Sequence, residues 1–466
     1  MTGLSRVAVF GAGRSGVAAA EAVLVAGGEP TVYEEASEDK PKVAESAREL
    51  RAKGVEVTSG WKGEFAETGC DLVVASPGVG MRHRKLQDAV AAGLEVVSEI
   101  ELAYRISRAP IVAITGTNGK STTTVMTWLC LRAAGVDAVL CGNVYGSGYD
   151  EIPLTQAASQ STPDQVLVAE VSSFQLEWVV EFKPVAATIT NIAPDHLDRY
   201  ADFEEYAATK HRIFARQCPK DTAVVKIGDP VVRPPEGSTV KGYGTRDEGS
   251  GNREQGLTMR RQGPDAYATE DGIVVEGVEI PFTGIGHDKL NAMAAMLLAD
   301  GALRSRGRSD ITDLAEGLKR FKGLAHRMER VGERNGILVV NNSMCTNPMA
   351  VESSSRSLEG RRHVLMGGVN KMLGFHELAR YMQEAGDEAY LYGRDAEQIA
   401  EQLDVMDAAR KHVFGCLDEA FSDATQRAKA GETIILSPGC ASFDQFEDFR
   451  QRGDHFRRIA KEWLTK

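Results

Sequence analysis

The chain has 466 residues, a net charge of −12, 42% hydrophobic and 26% charged residues. That length exceeds what one hydrophobic core sustains, so two or three domains are expected, and the acidic balance disfavours a nucleic-acid or anionic-membrane surface. No apolar run of roughly eighteen residues is present, the N-terminus enters a strand without a signal-peptide core, and the seven cysteines include no CxxC pair, so a soluble cytoplasmic protein without disulfide framework or zinc cluster is expected.

Val7-Ala-Val-Phe10 runs into Gly11-Ala-Gly13-Arg14-Ser15-Gly16 and an Ala-rich helix, and the next strand, Thr31-Val-Tyr33, ends in Glu34-Glu35. Strand, GxGxxG, helix and a following acid predict a Rossmann-like unit with a nucleotide-type ligand; the alternative is a bare tight turn, and the glycines alone do not prove NAD. Asp71-Leu-Val-Val-Ala75 runs into Ser76-Pro77-Gly78, either a structural turn or a ligand loop at the carboxyl end of a parallel strand.

The apolar run Ile111–Thr115 breaks into Gly116-Thr117-Asn118-Gly119-Lys120-Ser121-Thr122. Small residues let backbone N–H groups close on phosphate, the helix that follows adds its N-terminal partial charge, Lys120 supplies a point charge and Ser121 a hydroxyl for Mg²⁺. Only Thr117 and Asn118 separate Gly116 from Gly119, whereas the common P-loop places about four residues there. Downstream, Glu170 closes the apolar run Val166–Ala169, and a second run leads through Asn191 to Asp195-His196-Leu-Asp198. If those two strands are neighbours, imidazole and carboxylates gather as a Mg²⁺ or Mn²⁺ site; a capping histidine is the plain alternative.

Phe203, Tyr206, Ala207, Lys210 and Phe214 share one helical stripe, so Lys210 faces inward, either snorkelling to water or holding a depressed pKa. Residues 221–282 read as short β segments decorating the central domain, Asp288 as the N-cap of a helix, and the strands beyond Lys322-Gly323 as a third α/β domain.

Ile-Thr-Gly-Thr-Asn-Gly-Lys120-Ser-Thr, Glu170-Val-Ser-Ser-Phe-Gln-Leu, Asn191-Ile-Ala-Pro-Asp-His196-Leu-Asp, Lys210, Leu324-Ala-His-Arg327-Met-Glu and Leu436-Ser-Pro-Gly-Cys-Ala-Ser442-Phe-Asp-Gln-Phe together resemble the Mur ligases, ATP-dependent amide-forming enzymes of peptidoglycan assembly. The resemblance runs the whole chain and is nearest to the D-glutamate-adding branch. It implies an α/β fold in three domains: a Rossmann-like UDP-substrate domain over 1–99, a central P-loop ATPase-like ATP-binding domain over 100–323, and a Rossmann-like amino-acid domain over 324–466. It also implies a monomer with no nucleic-acid or membrane partner, converting UDP-N-acetylmuramoyl-L-alanine and D-glutamate with ATP and two Mg²⁺ ions.

By the same resemblance Lys120, Glu170, His196 and Lys210 are catalytic, and Ser121, Glu170, His196 and carbamylated Lys210 are the metal ligands. Gly116 to Thr122, Asp288, Asn291, Arg327 and Asn342 take the nucleotide. Arg14, Ser15, Glu34, Ser76, Pro77, Gly78, Asn143, Ser172 and Gln175 take the UDP substrate, and Thr346, Lys371, Ser442 and Phe449 the glutamate.

The chain also departs from the pattern. Asn341-Asn342-Ser343-Met344-Cys345-Thr346-Asn347 stands where the branch reads Asn-Asp-Ser-Lys-Ala-Thr-Asn, Asp288 stands where Asn is usual, and Glu34-Glu35-Ala36 replaces an Asp-Thr-Arg type of segment. Loss of an acid together with a lysine is either a compensated swap or a mark of divergence. The alternatives are therefore a related ligase using another amino acid, such as L-glutamate, or another UDP-sugar acceptor, and a non-catalytic nucleotide-binding relative.

Overall fold

The structure is a computed structural model that describes residues 5–196, 199–245, 264–284, 286–370 and 372–466. The chain divides into two compact units, one of residues 1–145 and 150–321, the other of residues 146–149 and 322–466.

The first unit holds two sheets. One consists of β1 (Arg6–Phe10), β2 (Glu29–Glu34), β3 (Glu56–Ser59), β4 (Leu72–Ala75) and β5 (Glu95–Ser98), in the order β3-β2-β1-β4-β5 and parallel throughout. Strand order reverses at β1, so the loops after β1 and β4 flank the crevice where such sheets hold ligands. The other sheet consists of β6 (Ile111–Thr115), β7 (Asp137–Gly142), β8 (Gln165–Glu170), β9 (Ala186–Ile189), β10 (Thr222–Lys226), β11 (Thr239–Gly244), β12 (Ala266–Ala268), β13 (Gly272–Val275) and β14 (Val278–Pro281), in the order β14-β13-β12-β11-β10-β9-β6-β8-β7. The expected decoration over 221–282 is thus a continuation of the central sheet, with β10 to β12 added in parallel and β13 and β14 antiparallel.

β6 is buried along its whole length, as its unbroken apolar sequence requires. One core joins the first sheet to one face of the second, through residues such as Val9, Val74, Leu102, Leu167 and Ile189. On the opposite face the helices Lys120–Ala133, Gly286–Arg304 and Ile311–Lys319 pack over Ile114, Val168 and Val224. Ala292 to Ala299 are all at most 1% exposed. This explains a helix apolar on every side.

The second unit has β15 (Glu329–Arg334), β16 (Ile337–Asn341), β17 (Arg362–Gly367), β18 (Glu388–Tyr392), β19 (Lys411–Phe414) and β20 (Thr433–Leu436), ordered β15-β16-β20-β17-β18-β19, with only the β15–β16 pairing antiparallel. Its two faces carry separate cores, one around Met366, Phe375 and Ile435, the other around Tyr392, Phe421 and Phe456.

Candidate active site

The turn after β6 depends on its two glycines. Gly116 has φ 143° and Gly119 φ 81°, conformations that favour glycine. A Cβ at Gly116 would stand 2.0 Å from Thr190 Oγ1, and one at Gly119 would stand 2.6 Å from Asn291 Oδ1. The segment after β9 pins the loop from one side: Asn118 N donates to Asn191 Oδ1 at 3.0 Å, Thr190 Oγ1 donates to Asn118 O at 2.6 Å, and Thr117 N donates to Asn191 O at 2.9 Å. Lys120 Nζ donates to Thr117 O at 2.9 Å, and Thr123 Oγ1 donates to Asn291 Oδ1 at 3.3 Å. Asn291, more than 160 residues downstream in sequence, is therefore brought to the loop. Asp288 lies inside the first turn of its helix, not at the N-cap, because that helix already starts at Gly286.

β8 and β9 are not neighbours. β6 lies between them, with Ile114 paired to Glu170 on one side and to Thr188 on the other, so Glu170 and the His196 segment flank the loop and do not share one edge. Glu170 is 2% exposed. Its Oε1 accepts Asn143 Nδ2 at 3.3 Å, while Oε2 is buried without a hydrogen-bond partner. His196 has φ 54°, and its ring packs edge-on to Phe174 at 4.7 Å. Among the described residues no group of three or more His, Cys, Asp or Glu gathers closely enough to hold a metal ion.

Lys210 is 2% exposed, so its ammonium does not snorkel. It sits in the helix Phe203–His211, which is capped by Asp202 accepting from Glu205 N at 2.8 Å. Lys210 Nζ donates to Gly116 O at 3.0 Å and lies 4.7 Å from the Tyr206 ring centroid. Burial first, then the charge of Lys120, push it down to about 7, against the pull of Asp195 and Glu170. A lysine shifted this far presents a substantial neutral, nucleophilic fraction near neutrality.

In the first sheet's crevice, Ser76 Oγ donates to Gly11 O at 3.2 Å, joining the two loops at the strand reversal. Pro77 is half-buried and Gly78 exposed beside them, while Ser15 starts the helix Arg14–Val25. Glu34 turns back on its own loop and accepts from Ala12 N and Ala36 N, each at 2.9 Å. Its carboxylate thereby occupies an amide that a phosphate would otherwise take. Arg14 donates to Glu151 Oε2 at 2.6 Å and lies 4.4 Å from the Tyr145 ring centroid.

Ser172 caps the short helix Ser173–Leu176 in a capping box with Gln175. Gln175 Nε2 in turn donates to Glu99 Oε1 at 2.7 Å. Glu99 is 3% exposed, its Oε2 is buried without a partner, and burial raises its carboxyl to about 7 against that hydrogen bond.

In the second unit, the loops after β16, β20 and β17 leave the carboxyl ends of three adjacent strands. Thr346 and Ser442 stand on two of these loops, the first half-buried and the second 2% exposed. Phe449 O accepts Ser343 Oγ at 2.7 Å, and the Phe449 ring lies 6.2 Å from that of His326, next to Arg327. Lys371 falls outside the described residues. Asn342 is 6% exposed: Oδ1 accepts Met328 N at 3.2 Å and Nδ2 donates to Ser437 Oγ at 3.3 Å. Both ends of the Asn342 amide are thus engaged within the unit.

Three families match in register with these sheets: Mur ligase MurD-like, N-terminal domain, at residues 5–98; Mur ligase middle domain at 114–299; and Mur ligase, glutamate ligase domain at 326–440. The UDP-N-acetylmuramoylalanine--D-glutamate ligase of Pelotomaculum thermopropionicum is 37% identical over 471 residues, covering 97% of each chain. The chain belongs to the Mur ligase family. The enzyme of the same name from Caldanaerobacter subterraneus subsp. tengcongensis is 35% identical, again over 97% of each chain. At the level of fold, the Mur ligase chain is similar to the UDP-N-acetylmuramate-alanine ligase MurC of Thermotoga maritima, with TM-score 0.57, 17% identity and 99% of each chain covered. It is also similar to the MurF ligase of the same organism, with TM-score 0.55, 16% identity and coverage of 94% and 95%.

Some residues of this Mur ligase support the site although the sequence reading assigns them no role there. Thr190 and Asn191 hold the phosphate loop. Glu177, with a fully buried side chain, receives both Arg199 Nε at 2.7 Å and Nη2 at 2.8 Å, while Arg199 also reaches Val79 O at 3.1 Å beside the Ser76 loop. A buried acid following Ser-Ser-Phe-Gln-Leu was the available signal for Glu177.

Proposed function

We infer that this chain is an ATP-dependent ligase that joins D-glutamate to UDP-N-acetylmuramoyl-L-alanine through an acyl phosphate. The observation that carries the reading is the short phosphate loop with its glycines packed against Thr190 and Asn291, Glu170 on the neighbouring strand and Lys210 Nζ on the Gly116 carbonyl. Full-length likeness to D-glutamate ligases supports the choice of substrates.

Mur ligases use ATP. In this chain the loop from Gly116 to Thr122 and the start of the helix Lys120–Ala133 would take its phosphates, with Lys120 supplying positive charge. Asn291 lies against Gly119, and Asp288 is one turn earlier in the same helix. In the second unit, Arg327 and Asn342 are the residues assigned to the nucleotide.

The uridine substrate is assigned to the Gly11 and Ser76 loops together with Asn143, Ser172 and Gln175. Arg14 and Ser15 continue the first of those loops, and Glu34, at the end of β2, acts by shaping its backbone through Ala12 N. The glycine motif thus serves a uridine nucleotide, and NAD is not called for. Glutamate is assigned to Thr346, Lys371, Ser442 and Phe449.

The donor set near the loop fits a hard cation. Glu170 offers a buried carboxylate oxygen with no partner, and Ser121 stands at the helix start. These two residues would hold Mg²⁺, which would supply positive charge against that developing on the transferred phosphoryl group. Two ions are proposed, with His196 and a carbamate on Lys210 as further ligands; burial leaves part of Lys210 as the neutral amine, whose Nζ adds carbon dioxide and loses a proton to become an anion.

The chemistry is then balanced in two displacements. A carboxylate oxygen of the alanyl substrate attacks the γ-phosphorus of ATP, the bond to the ADP oxygen breaks, and an acyl phosphate forms. The uncharged amine of glutamate attacks the acyl carbon, phosphate leaves with the C–O bond electrons, and the amine proton passes to solvent or phosphate. Lys120 and the loop amides stabilise the phosphoryl group's charge in the first displacement.

The test is phosphate release by purified protein with ATP, Mg²⁺ and UDP-N-acetylmuramoyl-L-alanine, with and without D-glutamate. Release that depends on D-glutamate is expected; none above the control overturns the reading. A panel including L-glutamate and D-glutamine, and a second UDP-sugar acceptor, tests the related-ligase alternatives in the same assay. Retention of Lys120, Glu170 and Lys210 in a packed arrangement argues against a non-catalytic relative.

A further inference from the structure

The helix Phe449–Thr465 buries one arginine completely: Arg452 is 0% exposed, and it is the largest fully buried side chain of the described residues. Among those residues no carboxylate oxygen lies within 4.0 Å of its guanidinium. A buried charge without an acid needs a full set of hydrogen-bond acceptors. Arg452 finds them on three loops. Nε donates to Ser343 Oγ at 3.1 Å and Nη2 to Ser343 O at 3.0 Å; Nη1 and Nη2 each donate to Cys440 O at 3.1 Å; Nη1 reaches Gly367 O at 3.5 Å.

Those loops follow β16, β20 and β17, and they carry Thr346 and Ser442. The other routes between them are the Asn342 amide, which donates to Ser437 Oγ at 3.3 Å, and backbone pairing such as Val369 with Ala441 and Gly439 N to Cys345 O at 3.0 Å. The planar fork has donors on three sides, and a lysine, whose donors share one atom, cannot reach the three loops together.

We propose that Arg452 is a positioning residue for the incoming amino acid, its guanidinium fixing the loops that bear Thr346 and Ser442 so that they bind the glutamate as one preformed site. This rests on the assignment of the glutamate site made above. The uridine substrate is assigned to residues of the other unit, and on the loops that Arg452 holds only Asn342 is assigned to the nucleotide, so the effect falls first on the KM for glutamate and leaves that for the uridine substrate alone.

The test is steady-state phosphate release by the full chain carrying Arg452→Met, Arg452→Lys or Ser343→Ala, each first checked for a cooperative thermal transition. Arg452→Met and Arg452→Lys are expected to raise KM for D-glutamate by about tenfold or more while KM for the UDP substrate stays within about twofold. Ser343→Ala, which removes one acceptor and leaves the charge buried, is expected to raise the same KM by about threefold. A folded Arg452 variant with wild-type KM for D-glutamate overturns the proposal, as does an equal rise in all three KM values. If neither Arg452 variant folds, an unchanged D-glutamate KM in Ser343→Ala overturns it. Absence of D-glutamate-dependent turnover in the unmodified protein is a separate outcome: it overturns the substrate assignment, and the variants are then read with whichever amino acid of the panel is accepted.

Discussion

Glu99→Gln is expected to flatten the pH dependence of stability of the unit that contains it. Burial raises the Glu99 carboxyl from its ordinary 4.5 to about 7, even with Gln175 donating to it. The folded state therefore holds this proton more tightly than the unfolded chain does. The resulting stabilisation is fully present below about pH 4.5 and is lost as pH rises through about 7; the full gap corresponds to roughly 3 kcal/mol, most of it lost between about pH 5 and pH 8.

The substitution keeps shape and an oxygen for Gln175 but cannot ionise. Urea unfolding followed by tryptophan fluorescence reads the right unit, because Trp61, Trp128 and Trp178 lie within residues 1–321 and only Trp463 lies in the other unit. Between about pH 5 and pH 8 the parent protein should lose about 2–3 kcal/mol more stability than Glu99→Gln, since all other titrating groups are common to both. Equal losses in the two proteins would refute the argument that a buried, proton-binding carboxyl sits at this position.

Gly119→Ala forces an L side chain into φ 81° and against Asn291 Oδ1, and is expected to weaken ATP binding by about tenfold or more in a calorimetric titration, with the thermal midpoint little changed. Glu170→Gln removes the charge of the unpartnered buried oxygen, and should raise the Mg²⁺ concentration for half-maximal turnover by about tenfold or more. Lys210→Ala should lower turnover by about a hundredfold or more while leaving ATP binding measurable, because the amine on the Gly116 carbonyl is buried next to Lys120. A Lys210→Ala protein that no longer binds ATP would point to a purely structural lysine.

What could be read in advance was what the chain writes locally. β6 and its glycines, Glu170 at a strand end and the inward stripe of Lys210 are patterns within a dozen residues, and the folded chain keeps each of them. Spatial order is not local. Putting β6 between β8 and β9 moved the His196 segment to the far side of the loop from Glu170, and nothing in either segment encodes which strand inserts between them. The strands over 221–282 are short and partly polar because they approach a sheet edge, so they resembled an appendage.

Glu34 was legible as an acid at a strand end, but not its turn back toward Ala12 N. Arg452 had a usable signal that its charged surroundings hide. It shares a helical stripe with Phe456, Ile459 and Ala460, all buried, and an arginine on such a stripe calls for acceptors as surely as the inward lysine does.

The position of β20 bears on how this protein is made. The latest strand of the third sheet lies between β16 and β17, which precede it by some seventy residues or more and do not touch each other in the sheet. During synthesis those two strands emerge with unsatisfied edges facing a gap, and they stay so until residues 433–436 leave the ribosome. The second unit must therefore complete itself after translation of its far end, and a nascent chain stalled before β20 is the form most exposed to proteases, chaperones and wrong strand pairing.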